Sequence, residues 1–396
     1  MENPVVPIRL YGAAWCPDCR RAKQFFGEQR IHYEYIDIEH DPTAMLLVEQ
    51  INQGKRIIPT ILFPDGSILV EPSNAELASK LDLQTTASRS FYDTIIIGGG
   101  PAGLTAALYL AREGFDTLVI EKAALGGQAG ITEKLDNFPG FDEGIPGAEF
   151  AERLGRQARR FGVEILQAQE VGEITPDPPY LCVSTQDNTS YTSKSVLLAS
   201  GARYRRLNIP GEDDLIGVNV HFCATCDGAF YKDKKVLVIG GGNSGFEESL
   251  FLTRFARQVD IVVAEPVPKA SKILQEKVAE MSGISVILNH QVVELRGKPH
   301  LEHVIAQDSA TGEKKAWQYD GVFVFIGLSP NSDLVKDKVQ VDPRGFIVTD
   351  HSLMSTLPGL FAAGDVRAGS TKQAASAAGE GATAALMIRQ YLKEIG

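Results

Sequence analysis

Four of the five cysteines in this chain of 396 residues form two Cys-x-x-Cys pairs, Cys16 with Cys19 in "WCPDC" and Cys223 with Cys226 in "CATC". Two thiols at this spacing can cycle between dithiol and disulfide, or they can supply half of a zinc site. A predicted strand precedes the first pair and a helix follows it, so the helix N-terminus and two adjoining arginines would stabilise a thiolate at Cys16. The pairs fall in what we predict to be different domains, which favours redox chemistry over a shared zinc ion and predicts no metal site.

The residues around the second pair, and the fifth cysteine, allow more than one interpretation. Asp227 adjoins Cys226, and its carboxyl group could exchange a proton with a thiolate; alternatively it caps a turn. We interpret Cys182, in the predicted strand "LCVST", as a buried apolar side chain rather than a reactive thiol. His221 is interpreted as structural or as lining the site, and no histidine as a metal ligand.

A glycine motif follows the strand "YDTIII" directly and opens a long helix. Gly98, Gly100 and Gly103 give G-x-G-x-x-G, in which the glycines allow a tight turn, close approach of a pyrophosphate, and close packing of helix on strand. The next predicted strand, "TLVIE", ends in Glu121, where a carboxylate can accept hydrogen bonds from ribose hydroxyls. Strand, turn, helix and acid together predict a dinucleotide site.

The same unit recurs later in the chain, in "KVLVIGGGNSGFEESLFLTRFA". Gly240, Gly242 and Gly245 repeat the motif, and Glu265 ends the next predicted strand, "VDIVVAE". Two dinucleotide sites in one chain suggest a flavin and a nicotinamide, one passing electrons to the other, with the dithiols as the electron exit.

The elements that must position these residues form three units. Residues 1–84 read as a small α/β domain, residues 85–90 ("TTASRS") as a polar, aperiodic linker, and the rest as two strand–turn–helix units with strand-rich connections. The fold class is therefore predicted as α/β, with two Rossmann-like dinucleotide-binding domains.

Composition argues against several classes of protein. The formal net charge is −11 and the pI is about 5.2, whereas a nucleic-acid-binding surface needs a basic patch. The start "MENPVVPIRLYG" lacks a signal-peptide pattern, and no apolar run approaches the roughly 18 residues of a membrane helix. We predict a cytoplasmic chain that binds neither nucleic acid nor membrane, in a reducing compartment where paired cysteines do redox chemistry.

From residue 91 onward the chain resembles the low-molecular-weight thioredoxin reductases. The matching motifs, in order over about 300 residues, are "GGGPAG" (98–103), "GGQ" (126–128), "NFPG" (137–140), "CATCDG" (223–228), "GGGN" (240–243), "GLSPN" (327–331), and "AGDV" (363–366) followed by "KQAASAAGEG". The first 84 residues resemble a glutaredoxin-like thioredoxin fold through "WCPDC" and "IPT", in which Pro59 is expected to be cis beside the dithiol. The chain thus looks like a fusion of the two.

The resemblance implies domains and roles at the matching positions. It implies an FAD domain built from residues 91–208 and 328–396, enclosing a nicotinamide domain at 209–327, in a homodimer whose domains rotate against each other. Cys226 would be the flavin-proximal sulfur, Cys223 the interchange nucleophile and Asp227 the acid–base group. Implied cofactor contacts, in addition to the glycines and acids above, are Pro101, Ala102, Gln128, Asn137, Asn243, Ser244, Asp365, Gln373 and Ala374.

Two departures from these families bear on specificity. NADPH-using members carry arginines that clamp the 2′-phosphate, but this chain reads "VVAEPVPKAS" there, with Glu265, and has Gly245 where many NADPH sites have alanine. A carboxylate repels a phosphate, so we predict FAD with NADH rather than NADPH, unless Lys269 or Arg257 restores a phosphate contact. In the first domain, "DGSILVEPSN" replaces the residues that often bind glutathione, so the use of glutathione stays open.

Together these observations predict an FAD-dependent disulfide reductase. Electrons would pass from the nicotinamide through FAD and Cys223/Cys226 to Cys16/Cys19, and on to a thioredoxin-like protein, a peroxiredoxin or a small disulfide. We expect Cys16 at the exposed start of its helix, with Cys19 resolving the mixed disulfide. The alternatives are a reductase fed by another donor such as a ferredoxin, with a vestigial nicotinamide site, and a flavin redox sensor that does not turn over.

Overall fold

Seven short elements build the N-terminal part of the chain around a four-stranded sheet. They are β1 (Ile8–Gly12), α1 (Pro17–Glu28), β2 (Tyr33–Asp37), α2 (Pro42–Ile51), β3 (Thr60–Leu62), β4 (Ile68–Val70) and α3 (Asn74–Lys80). The strand order is β2-β1-β3-β4; β1 and β2 are parallel, and the other neighbours are antiparallel. The computed structural model describes residues 7–395, apart from 133, 134, 136 and 223.

The amphipathic pattern of α1 fixes this small domain. Ala22, Phe25 and Phe26 repeat at helical spacing, and they are buried against Leu10 and Ile61 of the sheet. Two proline-started helices follow polar caps, since Cys16 caps α1 and Asp41 caps α2. The prediction of a thioredoxin-type α/β domain is confirmed.

A second α/β unit follows the linker. Its first elements are β5 (Phe91–Ile97), α4 (Pro101–Arg112), β6 (Thr117–Ile120), α5 (Gly127–Ile131), α6 (Gly147–Arg160), β7 (Glu164–Leu166), β8 (Val171–Asp177), β9 (Tyr180–Thr185) and β10 (Ser190–Leu198). Their sheet has the order β7-β6-β5-β10-β9-β8, with β5, β6, β7 and β10 parallel. Strands β5 and β6 are apolar and buried, as expected of parallel strands covered on both faces.

The chain then leaves this sheet through β11 (Ala202–Tyr204) and builds a third unit. That unit contains α7 (Glu212–Leu215), β12 (Val220–His221), α8 (Ala224–Asp227), β13 (Lys235–Ile239), α9 (Asn243–Leu252), β14 (Gln258–Val262), α10 (Lys272–Glu280), β15 (Ile284–Ile287), β16 (His290–Arg296), β17 (His303–Asp308), β18 (Lys314–Trp317) and β19 (Gly321–Val324). A parallel sheet has the order β12-β19-β13-β14-β15, and β16-β17-β18 form a separate antiparallel sheet.

The return to the second unit runs beside the exit. Strand β20 (Leu328–Pro330) pairs antiparallel with β11, so two adjacent strands join the second and third units. Strand β21 (Leu360–Ala362) then pairs with β10, and the long α11 (Ala374–Ile395) packs on α4. Both strand–turn–helix units predicted from the repeat are present, as β5–α4 and β13–α9, which confirms the predicted fold class. Within residues 7–395 as described, no helix is long and apolar enough to cross a membrane.

The segment that joins the first two units lies along the second one. The Gln84 carbonyl accepts a hydrogen bond from the Gln167 backbone N–H (2.8 Å), and the Ser88 hydroxyl donates to Glu164 (2.8 Å). The Ala87 N–H donates to the Tyr191 hydroxyl (3.3 Å). The segment has no regular secondary structure, but hydrogen bonds at Gln84, Ala87 and Ser88 hold it against the second unit.

Candidate redox and dinucleotide sites

The first glycine turn connects β5 to α4 and is shaped by steric crowding. Gly98 has φ +110°, and a Cβ there would lie 2.4 Å from the Ala199 carbonyl oxygen. A Cβ on Gly103 would lie 1.9 Å from the Gly98 oxygen, so helix and turn can pack this closely only without side chains. Gly100 differs: it is the N-cap of α4, and an added Cβ would meet no atom within 4 Å. Gly98 and Gly103 thus hold the turn's shape, while Gly100 leaves the helix N-terminus accessible.

Glu121 follows β6 and reaches across to this turn. One carboxylate oxygen accepts from the Gly99 backbone N–H (2.6 Å) and the other from the Ala123 N–H (2.8 Å). Burial raises the pKa of this carboxyl, and the two backbone donors oppose that rise. A carboxylate oxygen has more than one acceptor position, so each can still accept from a ligand hydroxyl.

Two residues predicted to line one site from distant parts of the sequence do come together. The Asn137 side-chain amide donates to the Gln373 side-chain oxygen over 3.0 Å, although 236 positions separate them. Ala374 starts α11 directly beyond Gln373, and Gln128 is exposed in α5. The structure thus joins the loop before α6 to the start of α11.

Asp365 has a buried side-chain oxygen that lacks a hydrogen-bond donor in the described part of the chain. Its Oδ1 is buried, with no hydrogen-bond partner among the residues the structure describes. Burial raises the pKa of this carboxyl, and nearby Lys372 opposes the rise. The Lys372 ammonium donates to the Asp365 backbone oxygen (2.6 Å) rather than to the carboxylate, so the orphaned oxygen is free to accept from a bound hydroxyl.

The second glycine turn, between β13 and α9, repeats the geometry of the first. A Cβ on Gly240 would lie 2.2 Å from the Phe325 oxygen, and one on Gly245 would lie 2.2 Å from the Gly240 oxygen. Gly242 is the N-cap of α9, where an added Cβ meets nothing within 4 Å. The Asn243 side-chain oxygen accepts from the Ser271 N–H (2.8 Å), which ties the loop after β14 to the turn, and Ser244 lies exposed in the first turn of α9.

Glu265 lies on that loop, half-exposed, and is paired with Lys269. The ammonium of Lys269 donates to the carboxylate, which lowers the pKa of Glu265. Arg257 lies before β14, with its backbone N–H bonded to the Lys234 oxygen, whereas Glu265 follows the other end of that strand. Five strand residues span about 16 Å, so Arg257 is poorly placed to replace a phosphate clamp near Glu265.

The first dithiol is organised by the N-terminus of α1. The Cys19 N–H donates to Cys16 Sγ (3.1 Å), so the sulfur is the helix cap, and the Cys16 thiol lies 3.6 Å from the Ile58 oxygen. The Ile58–Pro59 peptide is cis, as expected from the resemblance. Burial raises the pKa of Cys19 to about 12, so its thiol stays protonated at neutral pH.

The expectation that Cys16 is exposed is wrong. Cys16 is 4% exposed and Cys19 0%, because both sulfurs pack in a cluster with Tyr11, Ala13 and Ile58. The neighbouring Trp15 is instead 64% exposed, and its indole N–H donates to Glu39. The exposed side chain at the start of the dithiol motif is therefore Trp15 rather than Cys16.

The arginines expected beside the first dithiol are directed differently. Arg21 donates to Asp18 (2.9 Å) and to the Pro72 backbone oxygen (2.8 Å). Its guanidinium is therefore engaged by these groups rather than by the Cys16 sulfur. Arg20 is exposed. The helix N-terminus is therefore the main electrostatic support that the structure gives to a Cys16 thiolate.

Around the second pair, the structure describes the backbone of the short helix α8. Cys223 lies outside the described residues, and the backbone of Cys226 belongs to α8. Asp227 Oδ2 lies 3.2 Å from His221 Nδ1, and His221 Nε2 lies 2.7 Å from the Tyr231 hydroxyl. Burial raises the pKa of Tyr231 to about 12, so the phenol keeps its proton and can donate to Nε2. His221 Nδ1 is thus within hydrogen-bond distance of Asp227, a contact that sequence reasoning missed.

Comparison with known proteins agrees with these observations. The model of the pyridine nucleotide-disulphide oxidoreductase family matches residues 92–381, and the glutaredoxin model matches residues 8–68. Thioredoxin reductase of Mycolicibacterium smegmatis is 39% identical over 310 residues, which are 78% of this chain and 99% of that protein. The bifunctional thioredoxin reductase/thioredoxin of Mycobacterium leprae (strain TN) is 41% identical over 310 residues, 78% of this chain and 68% of that protein.

A solved structure supports the same assignment. Thioredoxin reductase of Lactococcus lactis, in its FR conformation, aligns with a TM-score of 0.74 at 36% identity, over 76% of this chain and 99% of that one. The predicted fusion is confirmed, since the two family models match separate and consecutive parts of the chain. The chain therefore belongs to the pyridine nucleotide-disulphide oxidoreductase family, as a thioredoxin-reductase-type enzyme that acts on disulfides with NAD(P)H, and it carries a glutaredoxin domain at its N-terminus.

Proposed function

We propose that this enzyme carries electrons from NADH, through FAD and the Cys223/Cys226 pair, to its own Cys16/Cys19 pair and then to an external disulfide. The observation that carries the proposal is the coexistence, in one chain, of two glycine-turn sites and a separate dithiol whose Cys16 sulfur caps a helix. In the family, FAD and NAD(P)H supply the two-electron chemistry between nicotinamide and thiols. The chain's own residues bind, orient and exchange disulfides.

The residues of the first site fit FAD. Gly100 leaves the N-terminus of α4 open, where backbone N–H groups can hold a pyrophosphate. Glu121 has acceptor capacity for ribose hydroxyls. Buried Asp365 Oδ1 lacks a donor, which a hydroxyl of the ribityl chain would supply, and the pair of Asn137 with Gln373 is proposed to line the ring system.

The cysteines then act by thiol–disulfide exchange. The Cys223 thiolate attacks the Cys16–Cys19 disulfide, a mixed disulfide forms, and Cys226 releases it, so one dithiol is oxidised as the other is reduced. Cys16, supported by its helix N-terminus, attacks the external disulfide, and Cys19 resolves the product. We propose Asp227, oriented by His221, as the group that takes and returns the proton.

Flavin content and turnover test this proposal directly. The purified protein should hold one FAD per chain, and NADH should bleach the flavin anaerobically and drive reduction of a thioredoxin-like protein disulfide. A panel that adds a peroxiredoxin and a small disulfide would rank the acceptors, and gel filtration would test the homodimer. Bound FMN, or failure of FAD to bind during reconstitution, would contradict the assignment.

We predict that NADH is preferred over NADPH. Glu265 places a negative charge where a 2′-phosphate would need a cation, and its partner Lys269 is already neutralised by the pair. A lost charge-assisted contact and an added like charge are each worth about 1–3 kcal/mol, or roughly tenfold to a hundredfold in kcat/KM. Steady-state rates with both nucleotides measure the ratio.

The variant Glu265→Gln separates charge from shape at this position. It removes the repulsion and frees Lys269 while it keeps side-chain length, so we expect the NADPH rate to rise. The NADH rate should fall, because the carboxylate is the proposed acceptor for the ribose 2′-hydroxyl. Glu294→Gln, an exposed carboxylate paired with Arg296 on β16, is the matched control. A wild-type kcat/KM that is higher with NADPH would overturn the prediction.

A further inference from the structure

Three consecutive residues at the C-terminal end of α1, Glu28, Gln29 and Arg30, dock the glutaredoxin domain onto one segment of the second unit. The Glu28 carbonyl accepts from the Ala124 backbone N–H (2.9 Å), and the Gln29 side-chain amide donates to the Lys122 carbonyl (3.0 Å). Gln29 is 6% exposed, which is rare for an amide side chain unless it is bonded. They contact residues 122–130, a segment that follows Glu121, contains the "GGQ" motif and runs into the short helix α5; we call this segment the 122–130 loop.

Arg30 makes the central contact of this interface. Its guanidinium donates to the Leu125 oxygen (2.7 Å) and to the Gly127 oxygen (2.9 Å). It also occupies the space beside Gly130, where an added Cβ would lie 2.2 Å from Nη1. Burial lowers the pKa of Arg30, and the negative charge of Glu121 opposes that shift, so the two groups attract each other within the interface.

The other face of the same loop packs on the first glycine turn. The Gly126 N–H donates to the Gly99 oxygen (2.7 Å), and Glu121 accepts from the Gly99 N–H. A Cβ on Gly99 would lie 2.7 Å from Leu125 Cδ2. The 122–130 loop therefore lies directly between the glycine turn and Arg30. We expect a shift of Arg30 to move the loop, and the loop in turn to move the turn.

We propose that Arg30 is a positioning residue for the flavin site, so that the glutaredoxin domain forms part of the structure that binds FAD. This inference rests on the FAD site proposed above. It adds to that site a residue from the glutaredoxin domain, which lies outside the reductase part of the chain. Arg30 holds two carbonyls on either side of Gly126, and its charge interacts with that of Glu121, the carboxylate proposed to bind ribose. It thereby fixes both the path of the loop and the setting of Glu121.

Main-chain contacts give this clamp its specificity. Carbonyl oxygens do not change when the loop sequence changes, and a guanidinium holds two of them in a rigid planar fork, whereas an ammonium on a flexible stem fixes their relative position less well. Arg30 is partly buried, so its removal leaves the two carbonyl oxygens without their donor. Either water must hydrate these oxygens or the loop must change its conformation. A change at residue 30 should thus be felt as weaker FAD binding.

The test compares the FAD affinity of full-length variants. Apoprotein is titrated with FAD, and the quenching of flavin fluorescence gives Kd. We expect Arg30→Met to raise Kd roughly three- to tenfold, the equivalent of losing one to two hydrogen bonds, and Arg30→Lys to restore part of the loss. Arg56→Met, which removes an exposed pair with Glu49 in the same domain, is the control and should leave Kd unchanged.

The outcomes separate this inference from the proposed function. If wild type and Arg56→Met bind FAD and Arg30→Met binds it equally well, Arg30 merely docks the domain and the inference is overturned. If the wild type itself takes up no FAD, the proposed function fails, and this inference falls with it. A lower melting temperature of the Arg30→Met apoprotein with an unchanged Kd would likewise count against a positioning role.

A double-mutant cycle with Gly130→Ala gives a second, independent readout. The new methyl group would press on the Arg30 guanidinium and cost its carbonyl bonds, so we expect weaker FAD binding in the arginine background. In the Arg30→Met background the same methyl group meets a flexible methionine side chain. The further loss of FAD affinity caused by Gly130→Ala should then be smaller. Additive effects of the two substitutions on Kd would contradict the coupling.

Discussion

Replacing Cys16 by serine is expected to abolish the reduction of protein disulfides while NADH still reduces the flavin at the wild-type rate. The Cys16 sulfur caps α1 and is the proposed attacking atom, but it has no place in the path from nicotinamide to flavin. Loss of a covalent nucleophile costs roughly a thousandfold or more in turnover. Stopped-flow bleaching of the flavin and steady-state disulfide reduction measure the two steps separately.

Two further variants sharpen the result. Cys19→Ser keeps the nucleophile but removes the resolving thiol, so a mixed disulfide between Cys16 and the substrate should accumulate and be visible by mass spectrometry. Cys182→Ser changes the remaining described thiol, which lies in β9 and is partly exposed rather than buried as expected, and it should leave every rate unchanged. Turnover of Cys16→Ser close to that of the wild type would mean that Cys223 serves external substrates directly.

The geometry of the first dithiol explains why the two cysteines cannot exchange roles. Cys19 is completely buried, and burial raises the pKa of its thiol to about 12, so it is both inaccessible and protonated. Cys16 is also buried, but its sulfur lies at the start of the helix beside the exposed Trp15. An incoming disulfide therefore reaches Cys16 first, and Cys19 acts after the mixed disulfide has formed.

The glycine turns were predictable because local sequence determines them. Gly103 and Gly245 are required by contacts within a single strand–turn–helix unit, since each packs on the first glycine of its own turn. Gly98 and Gly240 are favoured locally by their positive φ, although the carbonyls that crowd them follow neighbouring strands. The core helix α1 was predictable for the same reason, since the periodicity of Ala22 with its phenylalanines encodes a buried face.

The sequence motifs do not predict contacts between residues that are distant in the chain. Nothing in the sequence near Arg30 indicates that its partners are carbonyls 95 and 97 positions away. The burial of Cys16 depends on the packing of Ile58 and Tyr11 from other strands and loops, and "WCPDC" alone does not encode it. The bond between His221 and Asp227 is closer in sequence, but its geometry depends on Tyr231 and on how α8 follows β12.

Gly100→Ala is expected to leave the fold intact and to remove most FAD binding. Gly100 has φ −80° and ψ −175°, a conformation that alanine adopts readily, and the new Cβ would meet no protein atom within 4 Å. The apoprotein should therefore lose less than about 1 kcal/mol of stability, the scale of an N-cap change. If a pyrophosphate binds at this helix N-terminus, however, the methyl group blocks its approach, and FAD affinity should fall roughly a hundredfold.

The corresponding substitution in the second turn should give the opposite pattern. Gly242→Ala has the same open surroundings at the N-terminus of α9, so we expect full FAD content, normal stability and a KM for NADH raised roughly a hundredfold. Gly172→Ala in β8, whose Cβ would approach no atom closer than 3.7 Å, is the control and should alter neither cofactor. Flavin absorbance per chain, calorimetry of the apoprotein and NADH kinetics distinguish the three variants. If Gly100→Ala retained FAD and lost NADH affinity instead, the two turns would have to exchange their assigned cofactors, because steric blockage at a helix N-terminus affects only the ligand that binds there.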